Sequence, residues 1–190
     1  MPKTIDEQKV FRVVMKILMS RGYDRATTKE IASRAGINEV TLFRKFGNKM
    51  GLFEQAILNQ LEDTPLNHLE YTGSLALDLT KMVEAYIETN DLHGDIIPII
   101  LLELPRNPDL RGSIGVALNN LSLGIGIISQ YQDQGLLKKE EPLATLGALF
   151  GPIMINKMMH RAHFNWPTPK IVPHEYVDSF LTGRQPDKNP

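Results

Sequence analysis

The chain has 190 residues, 42% of them hydrophobic and 23% charged, with a formal net charge of −1, which is ample for the core of one or two globular domains. The absence of cysteine excludes disulfides, zinc–thiolate sites and thiol nucleophiles, and it fits a reducing, cytoplasmic setting. The most apolar run, residues 143–155, is broken by Gly147, Gly151 and Pro152 and falls short of the roughly 20 residues that span a bilayer, so no membrane segment is expected.

In chain order, Met1-Pro2-Lys3-Thr4 lacks the basic-then-apolar pattern of a secretion leader. Val10, Phe11, Val14, Ile17 and Leu18 then recur at helical spacing and predict an amphipathic helix with Gly22 as its stop. Thr27 followed by Glu30 has the spacing of a capping box, and Ile31, Ala32 and Ala35 fall on one face of the helix it opens. Gly36 ends that helix, because the residue just past a helix C-terminus favours a left-handed backbone that glycine adopts cheaply. Asn38 is a suitable cap for the next helix, in which Leu42 and Phe46 lie four apart and point into a core. At about 100° per residue, Val40 and Arg44 then point outward with Thr41 and Phe43 beside them. Asn48 can cap a fourth helix carrying Leu52, Phe53, Ile57 and Leu61.

Beyond Leu61 the pattern stays helical, so the predicted fold class is all-α. Asp63-Thr64-Pro65 and Thr72-Gly73-Ser74 are breaks, and Ser74 can cap a helix containing Leu75, Leu79, Met82, Val83 and Tyr86. A short helix through Ile96 and Leu104 is closed by Pro105-Arg106-Asn107-Pro108. Residues 109–134 predict a longer helix weakened by Gly112, Gly115, Gly124 and Gly126 and terminated by Gly135. Pro142 stands at a first helical position and opens a helix over 142–163, and a last helix over 174–182 has Gly183 as its stop. No repeat and no low-complexity segment interrupts this organisation.

Two short helices joined by a glycine turn, the second with a polar and partly basic outer face, have the layout of a DNA-reading helix-turn-helix, although a helical hairpin with a solvated face shares the same local signals. Charge is distributed accordingly. Residues 1–54 hold eleven Lys and Arg against six Asp and Glu, whereas residues 55–190 hold ten against sixteen. A basic head suits phosphate contact, and an acidic body keeps the remainder from adhering to DNA. The ordered set Gly22-Tyr23, Thr27-Thr28, Ile31-Ala32, Ala35-Gly36-Ile37, Thr41-Leu42-Phe43, Phe46, Lys49 and Leu52-Phe53 resembles the TetR family of transcriptional regulators. It covers about the first third of the chain. The remainder resembles the family in its helical layout and in Phe180-Leu181-Thr182-Gly183.

The resemblance implies a DNA-binding domain over residues 1–48 and an effector-binding and dimerisation domain over 49–190. It implies a homodimer on a palindromic double-stranded DNA operator, most simply a repressor, released by a small apolar or amphipathic effector. It places Lys29, Glu39, Val40 and Phe43 at base edges and Thr28, Thr41, Lys45 and Lys49 at phosphates. Arg44 is open to either role and is assigned to the bases. Side-chain chemistry agrees, since Lys29 can donate to guanine, Glu39 can accept from a cytosine amine and Val40 can touch a thymine methyl. Two positions depart from the family's pattern. Phe43 stands where tyrosine is usual, losing a hydroxyl, and Lys45 replaces a histidine or similar residue, restoring charge.

The helix over 142–163 is apolar on nearly every side along residues 143–155, so a partner subunit or the monomer's own bundle must cover it. Gly147 and Gly151 would admit a close helix, and the family's last two helices form a dimeric four-helix bundle. The expected dimer interface is therefore Gly147, Phe150, Gly151, Met154 and Phe180. Met82, Tyr86, Asn119, Asn120, Met154 and Met158 are soft or polar residues on apolar stretches, the composition of a mostly apolar pocket. His160 and His163 lack a suitably spaced carboxylate, and no nucleophile elbow, phosphate loop or zinc-hydrolase motif is present. No metal, cofactor or catalytic residue is expected. The competing reading is a helical protein-interaction adaptor that never binds DNA.

Overall fold

The computed structural model describes residues 5–94, 96–108, 111–163 and 170–183, with the backbone alone described at 111–120 and 161. Among these residues all regular structure is helical: α1 (Glu7–Arg25), α2 (Thr28–Ala35), α3 (Glu39–Phe46), α4 (Lys49–Leu61), α5 (Leu75–His93), α6 (Ile96–Glu103), α7 (Arg111–Asp133), α8 (Pro142–Arg161) and α9 (Pro173–Thr182), with a 3₁₀ turn at Pro65–His68. No helix is long and apolar enough to cross a membrane, among the described residues. The chain divides into two compact units. One holds α1 to α4 with His93–Leu118, and the other holds α5 up to Leu92 together with α7 from Asn119 onward, α8 and α9.

In the first unit, Val10, Phe11, Val14, Ile17 and Leu18 of α1 meet Ile31, Ala32 and Ala35 of α2, Leu42 and Phe46 of α3, and Leu52, Phe53, Ala56, Ile57 and Leu61 of α4. Ile96 and Ile100 of α6 join the same core. The helix starts are made as their sequences predict. The side chains of Thr27, Asn38 and Asn48 accept from the backbone N–H groups of Glu30, Val40 and Gly51, satisfying donors that have no partner within the helix. The capping box has its first half, while the Glu30 carboxylate pairs with Arg21 at 3.2 Å and Arg34 at 2.7 Å. Gly22 breaks the helical backbone with φ 76° and ψ 174°, but α1 resumes as far as Arg25. A Cβ at Gly22 would lie 2.6 Å from Glu103 Oε1, so α6 closes over the one position where α1 has no side chain.

In the second unit, Leu79, Met82, Val83 and Tyr86 of α5, Ile127, Ile128 and Tyr131 of α7, Leu146, Leu149, Phe150 and Ile153 of α8, and Val177, Phe180 and Leu181 of α9 are buried. Asp78 in the first turn of α5 is buried as well, and it accepts from Thr72 N–H at 2.8 Å, from the Thr72 hydroxyl, and from Tyr131 Oη at 2.5 Å. Burial alone would raise the Asp78 carboxyl, but the bonds from Thr72 and Tyr131 outweigh it and hold the group below its ordinary value. Burial and the adjacent Asp78 push the Tyr131 phenol up. Pro142 opens α8 as expected, and the helix continues through Pro152 in its interior. It ends at Arg161 rather than running on to His163, which has a left-handed φ of 54°.

Candidate nucleic-acid interface

The turn between α2 and α3 is set by Gly36, whose φ of 74° and ψ of 32° let its N–H and that of Ile37 reach back to carbonyls of α2. Leu42 and Phe46 anchor α3 in the core, so its opposite face lies open. Val40 is 74% exposed and Phe43 41%. Arg44 and Lys45 are exposed beside them, as is Lys29 on the first turn of α2. Thr28, Glu39, Thr41 and Lys49 are half-buried. The Thr28 hydroxyl donates to Glu39 Oε1 at 2.6 Å, linking the first residues of α2 and α3. Free cations and an apolar edge at the start of a helix are what a major groove meets, and the flanking N-terminal turns suit phosphate oxygens.

Two of the cations are already engaged within the protein. Lys45 pairs with Glu7 of α1 at 2.7 Å. Lys49 lies 4.2 Å from the centroid of the Tyr23 ring and donates to the Asp24 carbonyl at 3.4 Å. Tyr23 in turn packs edge-on against Phe53, with centroids 4.8 Å apart. Desolvation lowers the Lys49 pKa, while Asp24 and Glu103 act in the opposite sense. The ammonium is therefore held in place and partly desolvated by the protein itself. Lys49 was singled out by the family resemblance alone, and its seat on Tyr23 and the pairing of Lys45 with Glu7 join residues too far apart in sequence for pattern reading to find.

The residues expected at an effector pocket and a dimer interface all belong to the second unit. Met82 and Tyr86 are buried, with Tyr86 stacked on Phe150 at 4.4 Å between centroids and 12° between planes. Met154 is half-buried and Met158 exposed. Asn119 and Asn120 lie outside the residues whose side chains are described. Phe150 and Phe180 are turned into the protomer's own core, whereas a Cβ at Gly147 or Gly151 would meet nothing within 4 Å. Leu143, Ile155 and Met158 are exposed on α8, and with Gly147 and Gly151 they recur at spacings of three and four that place them along one side of the helix. Thr89 Oγ1 and Asn90 Oδ1 on α5 are buried without a hydrogen-bond partner. Sequence reading passed over both, since buried polar atoms become visible only when their surroundings are known. No cluster of metal-binding side chains occurs among the described residues.

Residues 13–56 match the family model of bacterial regulatory proteins of the tetR family. The chain is 28% identical over 174 residues to an uncharacterised HTH-type transcriptional regulator, YvkB, of Bacillus subtilis strain 168, covering 88% of this chain and 91% of that protein. Among solved structures, a protein of Vibrio parahaemolyticus assigned to the TetR family superposes with a TM-score of 0.71 at 14% identity, covering 94% of this chain and 97% of the other. The flavonoid-responsive regulator FrrA superposes with a TM-score of 0.62 at 17% identity, covering 95% and 97%. The capped, glycine-turned pair α2–α3 and its open outer face lie within the segment that matches the tetR-family model, and over most of its length the chain is similar to an HTH-type transcriptional regulator.

Proposed function

We infer that the protein is a ligand-responsive repressor that binds a palindromic operator as a homodimer in the cytoplasm and is released by a small apolar or amphipathic molecule. The observation that carries this reading is the outer face of α3, where Val40, Phe43 and Arg44 stand exposed between the cations Lys29, Lys45 and Lys49. Residues 1–48, with Lys49 at the start of α4, form the reading head, with Lys29, Glu39, Val40, Phe43 and Arg44 at bases and Thr41, Lys45 and Lys49 at phosphates, while the Thr28 hydroxyl is bonded to Glu39. Residues 49–190 provide dimerisation and effector binding. The open stripe of Leu143, Gly147, Gly151, Ile155 and Met158 on α8 supports pairing of two copies, because an apolar face of this length is rarely left to water. Effector contact is assigned to Met82, Tyr86, Asn119, Asn120, Met154 and Met158. The unpartnered oxygens Thr89 Oγ1 and Asn90 Oδ1 favour a molecule with at least one polar group over a pure hydrocarbon.

Selection of fragments from random DNA, followed by titration of the recovered duplex against a scrambled one, tests the reading. A preference of about a thousandfold or more is expected, with binding that weakens steeply as salt rises. A helical adaptor would recover no preferred fragment and would not be retained on heparin at low salt. The effector arm is tested by reciprocity. A compound that weakens operator binding a hundredfold must itself bind about 2.7 kcal/mol more weakly to the DNA-bound protein. An affinity unchanged by operator would remove that compound from consideration as an inducer.

A further inference from the structure

Thr28 is the first residue of α2 and Glu39 the first residue of α3, and the hydrogen bond between them spans eleven positions in sequence. At 2.6 Å it is a short hydroxyl-to-carboxylate hydrogen bond. A threonine hydroxyl has one proton to donate. Spent on Glu39, that proton is not available to a phosphate oxygen, so Thr28 cannot be a simple phosphate donor while this bond stands. The bond engages one oxygen of Glu39 and leaves the other as an acceptor. A carboxylate at a DNA surface meets the repulsion of the phosphates. Here that cost is offset by the positive end of α3 and by the reduced freedom of a side chain already held in place.

We propose that Thr28 is a positioning residue that holds Glu39 to read a cytosine in the major groove, so that specificity at one base pair of each half-site belongs to the Thr28–Glu39 pair. The recognised base follows from the chemistry of the acceptor. Cytosine presents its N4 amine as a donor with no acceptor of its own at this edge, whereas the adenine amine adjoins N7 of the same base, which repels a carboxylate, and guanine and thymine present acceptors at this edge. The proposal rests on the DNA-reading function inferred above.

The test uses the full-length protein and the selected operator, with each half-site position changed in turn to all four base pairs and binding followed by fluorescence anisotropy. Wild type is compared with Thr28→Ser, Thr28→Val, Glu39→Ala and the double variant Thr28→Val/Glu39→Ala, each first checked for cooperative thermal unfolding. Glu39→Ala should reduce discrimination at one position by about tenfold or more. Thr28→Val should reduce discrimination at that same position by about threefold to tenfold and leave the other positions unchanged. Thr28→Ser should restore it, and Thr28→Val should have no further effect once Glu39 is alanine. Uniform weakening by Thr28→Val on every duplex, persisting in the Glu39→Ala background, would make Thr28 a phosphate contact and overturn the proposal. So would a Glu39→Ala variant that discriminates as wild type does, although the protein would still stand as a DNA reader. Wild type without any sequence preference would overturn the proposal and the inferred function together.

Discussion

In the proposed function, Lys49 and Val40 separate the two tasks of the reading head. Lys49 is held over Tyr23 and against the Asp24 carbonyl, so its charge is placed without reference to sequence, whereas Val40 stands free at the start of α3 with only a methyl surface to offer. Lys49→Ala should weaken all duplexes alike and lower the slope of log affinity against log salt by about one unit, while Val40→Ala should alter preference at one base pair by about 1 kcal/mol. Titrations on the operator and a scrambled duplex at several salt concentrations distinguish the two. Lys45 tests the opposite direction, because in the free protein Glu7 already neutralises it at 2.7 Å. Glu7→Gln should strengthen binding a few-fold at low salt and less at high salt, since an exposed pair is weak and screened but its carboxylate competes with phosphate for the same cation. Unchanged affinity at low salt would remove Lys45 from the phosphate contacts. The outward position of Val40, Phe43 and Arg44 was legible in the sequence from the period set by Leu42 and Phe46. The engagement of Lys45 and Thr28 was not, since Glu7 and Glu39 are brought to them by folding alone.

At the scale of elements, local signals that complete themselves within one turn were the most readable. The caps Thr27, Asn38 and Asn48 and the left-handed Gly36 each satisfy backbone groups a few residues away, and all four occur as expected. Helix α6 was legible as a helix but not as part of the first unit, because the burial of Ile96 and Ile100 and the approach of Glu103 to Gly22 depend on tertiary contact. Helix α8 is apolar on nearly every side along residues 143–155, so periodicity alone could not tell that Phe150 faces Tyr86 while Gly147 and Ile155 face outward. The start of α5 carries a pH dependence of definite sign. Because the Asp78 carboxyl is held below its ordinary 3.8, it contributes stability that is fully present above 3.8 and is lost as pH falls through the folded value. Asp78→Asn should therefore cost about 1–3 kcal/mol at pH 7, and the difference from wild type should shrink below pH 4. Urea unfolding across that range checks it, and a difference independent of pH would show that the ionised form gains nothing from Thr72 and Tyr131.

For the molecule as a whole, one recognition helix reads only one half-site, so the account requires two copies related by a twofold axis. Ile155 is 58% exposed within the α8 stripe, and a charge there would have to be buried in any pairing through this face. Ile155→Glu should give a monomer by sedimentation with an unchanged helical spectrum, and it should reduce operator affinity by about a hundredfold or more as the second half-site contact is lost. A dimer that persists in this variant would move the interface away from α8. The most direct test of the central claim is the stoichiometry and half-site dependence of binding to the selected operator. Two protein chains per duplex are predicted, on half-sites about one helical turn or a multiple apart, with affinity collapsing when either half-site is scrambled. One chain per duplex, or full affinity for a single half-site, would contradict it.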